Sequence, residues 1–393
     1  MNVQRDYVNI GLLAVCQALY MSTTVLTVAT AGLAAETLLT RSTYATLPQA
    51  IVPVVAMLST LPASYVMRQI GRKNGFLLGV SFGVVSGSVC AYAIYISSFT
   101  LFLVGTSLLG VYQAFAAFYR FAVADQADEA IQGKAVSLVL AGGVFAAVIG
   151  PGLASYTSGL LAPFSFLGCF LASIAINLLA LLALSFVQLK KAPLVPRAGP
   201  KAITFDAVLS PRFLVGAVFC GVGTGTMMLV MTTTPLAMIG CGFDLDVSST
   251  VISWHVLAMF VPSFFTGHLV KHFGLYRILT AGLVLMGASA IFAMNGISEA
   301  HFATSLVVNG LAWNLMYVGG STLLARAGND GNRSILQGIN ETLTFGLTAV
   351  GAFASGILFS EIGWNAVNLV ALCAVPVLFM FMHSVRERTF LAI

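Results

Sequence analysis

Two titratable side chains, His255 and Glu341, lie inside long apolar stretches of the chain. Burying an ionisable group in an apolar environment is costly, so such a group is a candidate for function. An imidazole titrates near neutral pH and a buried carboxyl can also exchange a proton there, so both residues are candidates for proton transfer. The structural alternatives are a neutral histidine bonded to a neighbouring helix and a Glu341 paired with Arg326, Arg333 or Arg120.

Arg120, in the segment AFYRFAVAD, lies inside the end of another apolar stretch. Its guanidinium could attract an anionic group into the interior of the protein. The alternatives are that the side chain extends to lipid headgroups at a membrane surface or pairs with Asp125.

The composition indicates a membrane protein. Of 393 residues, 59% are hydrophobic and only 8% are charged, whereas about 25% are charged in a typical soluble domain. The six cysteines lie in or beside apolar runs and form no CxxC pair, so we interpret them as small buried residues. The sequence contains no P-loop, dinucleotide-binding motif or metal-ligand spacing. We therefore expect neither a metal, a cofactor nor an enzyme.

Twelve apolar runs are each long enough to cross about 30 Å of hydrocarbon. They predict an all-α membrane protein with two six-helix bundles, at 1–189 and 213–393, and a first span that is retained rather than cleaved. The Pro-rich, basic segment 190–212 predicts a cytoplasmic linker. The predicted spans are 8–35, 44–67, 75–96, 100–124, 135–160, 164–189, 213–238, 247–270, 278–297, 302–325, 335–359 and 364–385.

The positive charges predict the orientation of these spans. With the N-terminus in the cytoplasm, all of the 18 lysines and arginines except Arg41 fall on the cytoplasmic side. The opposite orientation would place all but one outside, against the usual bias. Both termini are therefore predicted to be cytoplasmic.

Internal similarity indicates a duplication. The segment LPASYVMRQIGRKNG is echoed by FFTGHLVKHFGLYR, which places Gly71 and Gly274 203 residues apart (274 − 71). Gly110 and Gly310 are 200 residues apart (310 − 110) in equivalent spans. A repeat at half the chain length predicts two copies of one unit, related by pseudo-symmetry.

Two six-span halves and the segment SYVMRQIGRK between spans two and three resemble the major facilitator superfamily of secondary transporters. The family signature at this place is roughly G-x-L-A-D-R-x-G-R-R, and Gly71, Arg72 and Lys73 match it. The chain departs from it at Ser64, which stands at the first glycine, and at Arg68, which stands at the aspartate.

The resemblance also implies gating elements. The second half keeps Gly274 but has Lys271 at the acidic position, and span five carries Gly150 and Pro151. A proline removes a backbone hydrogen bond and glycine allows close helix approach, which suits either a bending span or simple tight packing. The implied gating residues are Arg68, Gly71, Arg72, Lys73, Gly150, Pro151, Lys271 and Gly274.

In this family the first, fourth, seventh and tenth spans usually line the pathway. Here they carry uncharged polar and aromatic side chains, apart from Arg120. Aromatic rings supply stacking area and amides fix orientation, so such a lining suits a small, flat organic molecule. The implied substrate-binding residues, each of which could instead serve helix packing, are Gln17, Tyr20, Tyr112, Gln113, Arg120, Trp313, Asn314 and Tyr317.

The resemblance implies a secondary active transporter that works by alternating access. We expect its solute to be an uncharged or weakly anionic aromatic or heterocyclic metabolite, vitamin or drug, with proton coupling through His255 and Glu341. The alternatives are a facilitative uniporter, a non-transporting sensor or a lipid scramblase, and the direction of transport is open. We expect a monomer in the bacterial cytoplasmic membrane that contacts lipid and no nucleic acid.

Overall fold

The protein is described by a computed structural model covering residues 3–39, 44–119, 122–123, 139, 142–189, 208–327 and 333–391. Within these ranges it is helical, without strands. Arg41, Arg120 and most of the predicted linker lie outside them. The helices are α1 (Val3–Leu38), α2 (Leu47–Ile70), α3 (Arg72–Tyr95), α4 (Phe99–Ala116), α5 (Gly142–Thr157), α6 (Leu167–Phe186), α7 (Pro211–Gly240), α8 (Leu245–Phe260), α9 (Ser263–Phe273), α10 (Leu275–Met294), α11 (Glu299–Ala327), α12 (Arg333–Glu361) and α13 (Trp364–Ser384).

The predicted all-α membrane fold is confirmed. In the described ranges, nine helices are long and apolar enough to cross a membrane, and the bent pair α8–α9 is a tenth candidate. Helix α5 is 16 residues long in its described part, and α11 carries buried amides such as Asn309 that reduce its apolar character. Each of the twelve predicted spans coincides with one of these helices or, for the eighth, with the pair.

The eighth span is bent where the sequence suggested one continuous helix. Helices α8 and α9 meet at an angle of 43°, immediately around Pro262, which has no N–H to donate to the preceding turn. The side-chain amide of Asn314 on α11 supplies hydrogen bonds at this break. Its Nδ2 donates to Met259 O at 2.7 Å and to Ser263 Oγ at 2.6 Å. The break is therefore stabilised by a neighbouring helix.

The two halves repeat the same backbone turn. Gly71 joins α2 to α3 with φ 86° and ψ 153°, and Gly274 joins α9 to α10 with φ 81° and ψ 155°. Positive φ favours glycine because it has no Cβ. We call the end of the bundle that carries these two turns, with Arg72 and Lys73, the basic end.

A close helix approach is also duplicated. A Cβ added at Gly110 on α4 would clash with α2, and one added at Gly310 on α11 would clash with α8. The nearest residues are Val52, Val55 and Ala56 for Gly110 and His255, Ala258 and Met259 for Gly310. These partners are related by the same offset as the two turns, so the predicted duplication extends to individual packing contacts.

Gly110→Ala should destabilise the protein by about 1–3 kcal/mol, the usual cost of overpacking a close contact. The new methyl group would meet the backbone of Val52, which cannot move aside as a side-chain tip can. Thermal unfolding in detergent would show a lower midpoint. Gly152→Ala is the matched control, because nothing lies within 4 Å of a Cβ at that position, and an unchanged midpoint for Gly110→Ala would contradict the packing account.

The halves contact each other through two pairs of helices. Helix α12 of the second half packs on α2 of the first, and α5 of the first half packs on α8 of the second. Helices α1 and α7 meet more sparsely between these pairs. The space between the halves is therefore flanked by these two pairs of contacting helices.

Candidate solute-binding site

A cavity of about 50 Å³ lies between the two halves. Its wall is apolar except for hydroxyl and amide groups, and none of its lining residues is charged. Both halves contribute, since α1, α2 and α4 face α7 and α12 across it. The lining residues are Thr24, Thr27, Val28, Gln49, Val52, Pro53, Leu109, Gln113, Met228 and Thr348.

Gln113 is the predicted binding residue that lines this cavity. Its side chain is half-buried, and its amide forms no hydrogen bond to another residue in the described part of the chain. An amide both donates and accepts, so it can bind a ligand edge that presents one group of each kind. Gln17, on α1, is also half-buried.

Tyr20 and Tyr112 lie in the core of the first half. Their rings meet edge to face with centroids 5.2 Å apart. A Cβ added at Gly83 would touch the Tyr112 ring, which places that ring against α3. The Tyr112 hydroxyl is buried and has no hydrogen-bond partner among the described residues. In this conformation both tyrosines act as packing behind the cavity wall.

A second group of aromatic rings lies on α11 and α8 in the second half. Trp313 and Tyr317 are stacked, with centroids 4.8 Å apart and ring planes at 15°, and Phe260 meets Trp313 edge to face at 5.9 Å. Trp313 Nε1 donates to Thr224 Oγ1 at 3.0 Å, which fixes the indole on α7 one turn from the cavity residue Met228. Both stacked rings are half-buried, so part of their surface is not covered by other residues, and neither ring is among the residues that line the cavity.

Asn314, the third predicted binding residue on α11, is fully buried. Besides the two donations at the α8–α9 break, its Oδ1 accepts from Thr266 Oγ1 at 2.6 Å. Its amide is thus occupied by the protein itself in this conformation. Arg120, the remaining predicted binding residue, lies outside the described residues.

His255 is fully buried on α8 and faces α11. Its Nδ1 lies 2.7 Å from Leu306 O, and because a carbonyl only accepts, Nδ1 carries the proton. Nε2 is then an acceptor, and it has no partner among the described residues. Glu341 is half-buried on α12 and interacts with another residue of the protein.

The predicted gating residues lie mostly at the basic end. Lys73 Nζ donates to Ser185 O of α6 at 2.7 Å, which ties the turn to the end of its own half, and Arg72 is half-buried. Lys271 is exposed on α9. The Arg68 side chain lies outside what the structure describes.

Gly150 and Pro151 lie on α5. A Cβ at Gly150 would meet Val25 and Ser22 of α1, so this position allows close approach within the first half. Pro151 is buried inside the same helix.

The sequence did not predict Gln49 and Thr348 as site residues, yet both line the cavity, on α2 and α12. The family resemblance directed attention to the first, fourth, seventh and tenth spans, whereas these residues belong to the second and eleventh. The available signal was a glutamine four residues before Pro53 in an otherwise apolar run.

The halves also approach each other on either side of the cavity. On the side away from the basic end, Leu33, Ala45 and Leu236 form a buried cluster across the halves. Toward the basic end, a Cβ at Gly346 would lie 3.4 Å from Met57 Sδ. A drug-sized ligand needs about 300–1,000 Å³, so the halves must separate before such a solute can bind.

The sequence matches the family model of the Major Facilitator Superfamily over residues 11–261 and 241–389. The chain belongs to the major facilitator superfamily. It is 36% identical over 381 residues to the riboflavin transporter RfnT of Brucella anthropi, covering 94% of this chain and 95% of that one. It is 28% identical to the uncharacterized MFS-type transporter YdeG of Bacillus subtilis, covering 86% and 83%.

Solved structures of the superfamily share the fold. The nucleoside transporter NupG superposes with a TM-score of 0.73 at 14% identity, covering 95% of this chain and 99% of that one. The human organic anion transporter MFSD10 superposes with a TM-score of 0.68 at 14% identity, covering 96% and 99%. The family resemblance seen in the sequence is confirmed, and the chain is a membrane transporter of a small organic solute.

Proposed function

We propose that this transporter carries a flat heteroaromatic solute with hydrogen-bonding edges, and that riboflavin or a close flavin relative is that solute. The likeness to a riboflavin transporter over almost the whole chain supports the choice. Riboflavin combines a planar tricyclic ring, an imide edge that both donates and accepts, and a polyhydroxylated chain. It carries no charge at neutral pH, in keeping with an uncharged cavity wall.

The observation that carries this proposal is that the cavity residue Gln113 on α4 and the stacked Trp313 on α11 stand at equivalent positions of the two halves. The duplication relates these positions (313 − 113, the same offset as Gly110 and Gly310). The amide can bind the imide edge of the solute, and the Trp313–Tyr317 stack offers a face for its rings. Gln113 in the first half would orient the solute, and Trp313 and Tyr317 in the second half would stack on its rings.

Ligand-dependent thermal stability tests the solute class. A ligand that binds only the folded protein raises the unfolding midpoint by mass action. Riboflavin and lumichrome, which lacks the ribityl chain, should both raise the midpoint in detergent, whereas ribitol alone should not. Stabilisation by ribitol without lumichrome would show that the site recognises a polyol and would overturn the proposal.

We further propose that the halves 1–189 and 213–393 move as units and that the basic end faces the cytoplasm. Protons drive accumulation in this scheme, with Glu341 and His255 as the exchanging groups. His255 Nε2, which has no partner among the described residues, supports this assignment, as does the position of Glu341 on a cavity-lining helix.

Glu341→Gln should abolish accumulation driven by a pH gradient but retain exchange of solute across the membrane. The amide keeps the shape and hydrogen bonding of the side chain but cannot carry a proton. Vesicle uptake with and without an imposed pH gradient checks this, with His255→Gln tested in parallel. If the wild-type protein gained nothing from the gradient, it would be a facilitative uniporter.

A further inference from the structure

A polar stripe on α12 is not explained by the cavity alone. Asn340, Thr344 and Thr348 recur at intervals of four residues, so they lie along one side of the helix. Their exposed fractions are 4%, 5% and 9%. Thr348 lines the cavity, and the other two continue the stripe toward the basic end.

Two of these groups are buried without hydrogen bonds. Asn340 Oδ1 and Thr344 Oγ1 have no partner among the described residues, whereas Thr348 Oγ1 donates to Thr344 O at 2.7 Å. An unsatisfied buried polar group costs about 1–3 kcal/mol. Apolar side chains of the same shape would avoid that cost, so a packing role does not account for the stripe.

The stripe is absent from the equivalent helix of the first half. The segment AIQGKAVSLVLAGG, from Ala130, resembles ILQGINETLTFGLT, from Ile335, when Gly133 is aligned with Gly338. In this alignment Val139 corresponds to Thr344 (344 − 139) and Gly143 to Thr348 (348 − 143). Val139 is buried and apolar. The polar groups are therefore a property of one half only.

The neighbours of α12 indicate what happens to this face when the halves part. Leu347 and Gly351 contact Gly225 of α7, within the same half, at backbone distance. A Cβ added at Gly346 would lie 3.4 Å from Met57 Sδ of α2, which belongs to the other half. When the halves part, α2 would move away while α12 remains on α7, and water would then reach the cavity side of α12, where Thr348 lies.

We propose that Asn340 and Thr344 line the aqueous path between the cavity and the basic end, where their free oxygens bind the hydrogen-bonding edges of the solute in passage. In this conformation the two oxygens have no partner among the described residues, and water would hydrate them once the halves part. The identity of the passing solute rests on the proposed function, but the wetting of the stripe does not.

Thiol labelling tests the path without any assumption about the solute. In the Thr344→Cys variant, we expect a charged, membrane-impermeant methanethiosulfonate reagent to modify the new cysteine. The reagent is supplied to both faces of the membrane, in vesicles that contain no detergent. Val215→Cys, in the apolar core of the second half, is the matched control and should stay unmodified, as should the buried native Cys16, Cys90 and Cys220. Peptide mass spectrometry locates the label.

Transport by Thr344→Val and Asn340→Leu supplies the second readout. We expect riboflavin exchange about tenfold slower than wild type, with unchanged stabilisation by riboflavin and equal or higher thermal stability. Ser249→Ala removes another buried, unpartnered hydroxyl away from the stripe and should transport normally. If the Thr344→Cys variant transported but its new thiol stayed unlabelled, the proposed aqueous path would be wrong. If the thiol were labelled but the protein neither bound nor transported riboflavin, only the proposed identity of the solute would be wrong.

Discussion

Linking Met57→Cys to Gly346→Cys with a short, reducible bis-methanethiosulfonate reagent should abolish transport, and reduction should restore it. These positions lie on α2 and α12, in opposite halves, and the Gly346 Cβ position is 3.4 Å from Met57 Sδ. The link would hold the basic end closed, so the solute could not leave the cavity on that side. Loss of more than about 95% of the exchange rate is expected, because a covalent bond cannot be opened by the few kcal/mol available to a conformational change.

A link within one half provides the control for this experiment. Thr157→Cys faces the native Cys169, since Thr157 Oγ1 lies 3.3 Å from Cys169 Sγ in the first half. Mild oxidation should join this pair directly as a disulfide and leave transport unchanged, with the exposed Cys241 and Cys373 replaced by serine in both proteins. If the variant cross-linked between positions 57 and 346 kept transporting, α2 and α12 would not need to separate during transport.

Trp313→Ala should weaken the apparent affinity for riboflavin by about 5- to 150-fold. Stacking of a heteroaromatic ring on an aromatic side chain contributes about 1–3 kcal/mol, and each 1.4 kcal/mol is a factor of ten. The truncation also removes the partner of Tyr317, whose ring is stacked on the indole. Titration of purified protein with riboflavin, read by the quenching of flavin fluorescence, measures the change.

Trp313→Phe separates stacking from hydrogen bonding. Phenylalanine keeps an aromatic face but cannot donate to Thr224 Oγ1, which the indole reaches at 3.0 Å. Affinity should therefore fall much less than in the alanine variant. Equal losses in both variants would show that the role of Trp313 is to fix α11 on α7 rather than to stack on the solute.

The fold could be predicted from the sequence because a membrane span needs length and apolarity, and both are visible in single runs. The duplication was visible too, since positive-φ turns and close helix contacts require glycine at matching places, as at Gly71 and Gly274. The bend in the eighth span was not foreseen. Its cause, Pro262, was present in the sequence, but Pro53 and Pro62 lie inside an unbroken α2, so a proline alone does not decide the outcome.

The candidate site was predictable only in part. Gln113 was selected because it places an amide on a span that the family resemblance assigns to the pathway, and it lines the cavity. Asn314 was selected for the same reason, but its amide stabilises the α8–α9 break, a need that arises from another helix. The polar face of α12 depends on which helices meet across the halves, and that information is not contained in any single span.

Counterflow in proteoliposomes tests most directly whether this protein is a carrier of riboflavin. Vesicles loaded with unlabelled riboflavin and diluted into a trace of labelled riboflavin should accumulate the label transiently above its external concentration, because a carrier exchanges solute faster than it loses the gradient. Protein-free vesicles should not. Vesicles in which the folded protein produces no such overshoot with riboflavin or any flavin analogue would contradict the account.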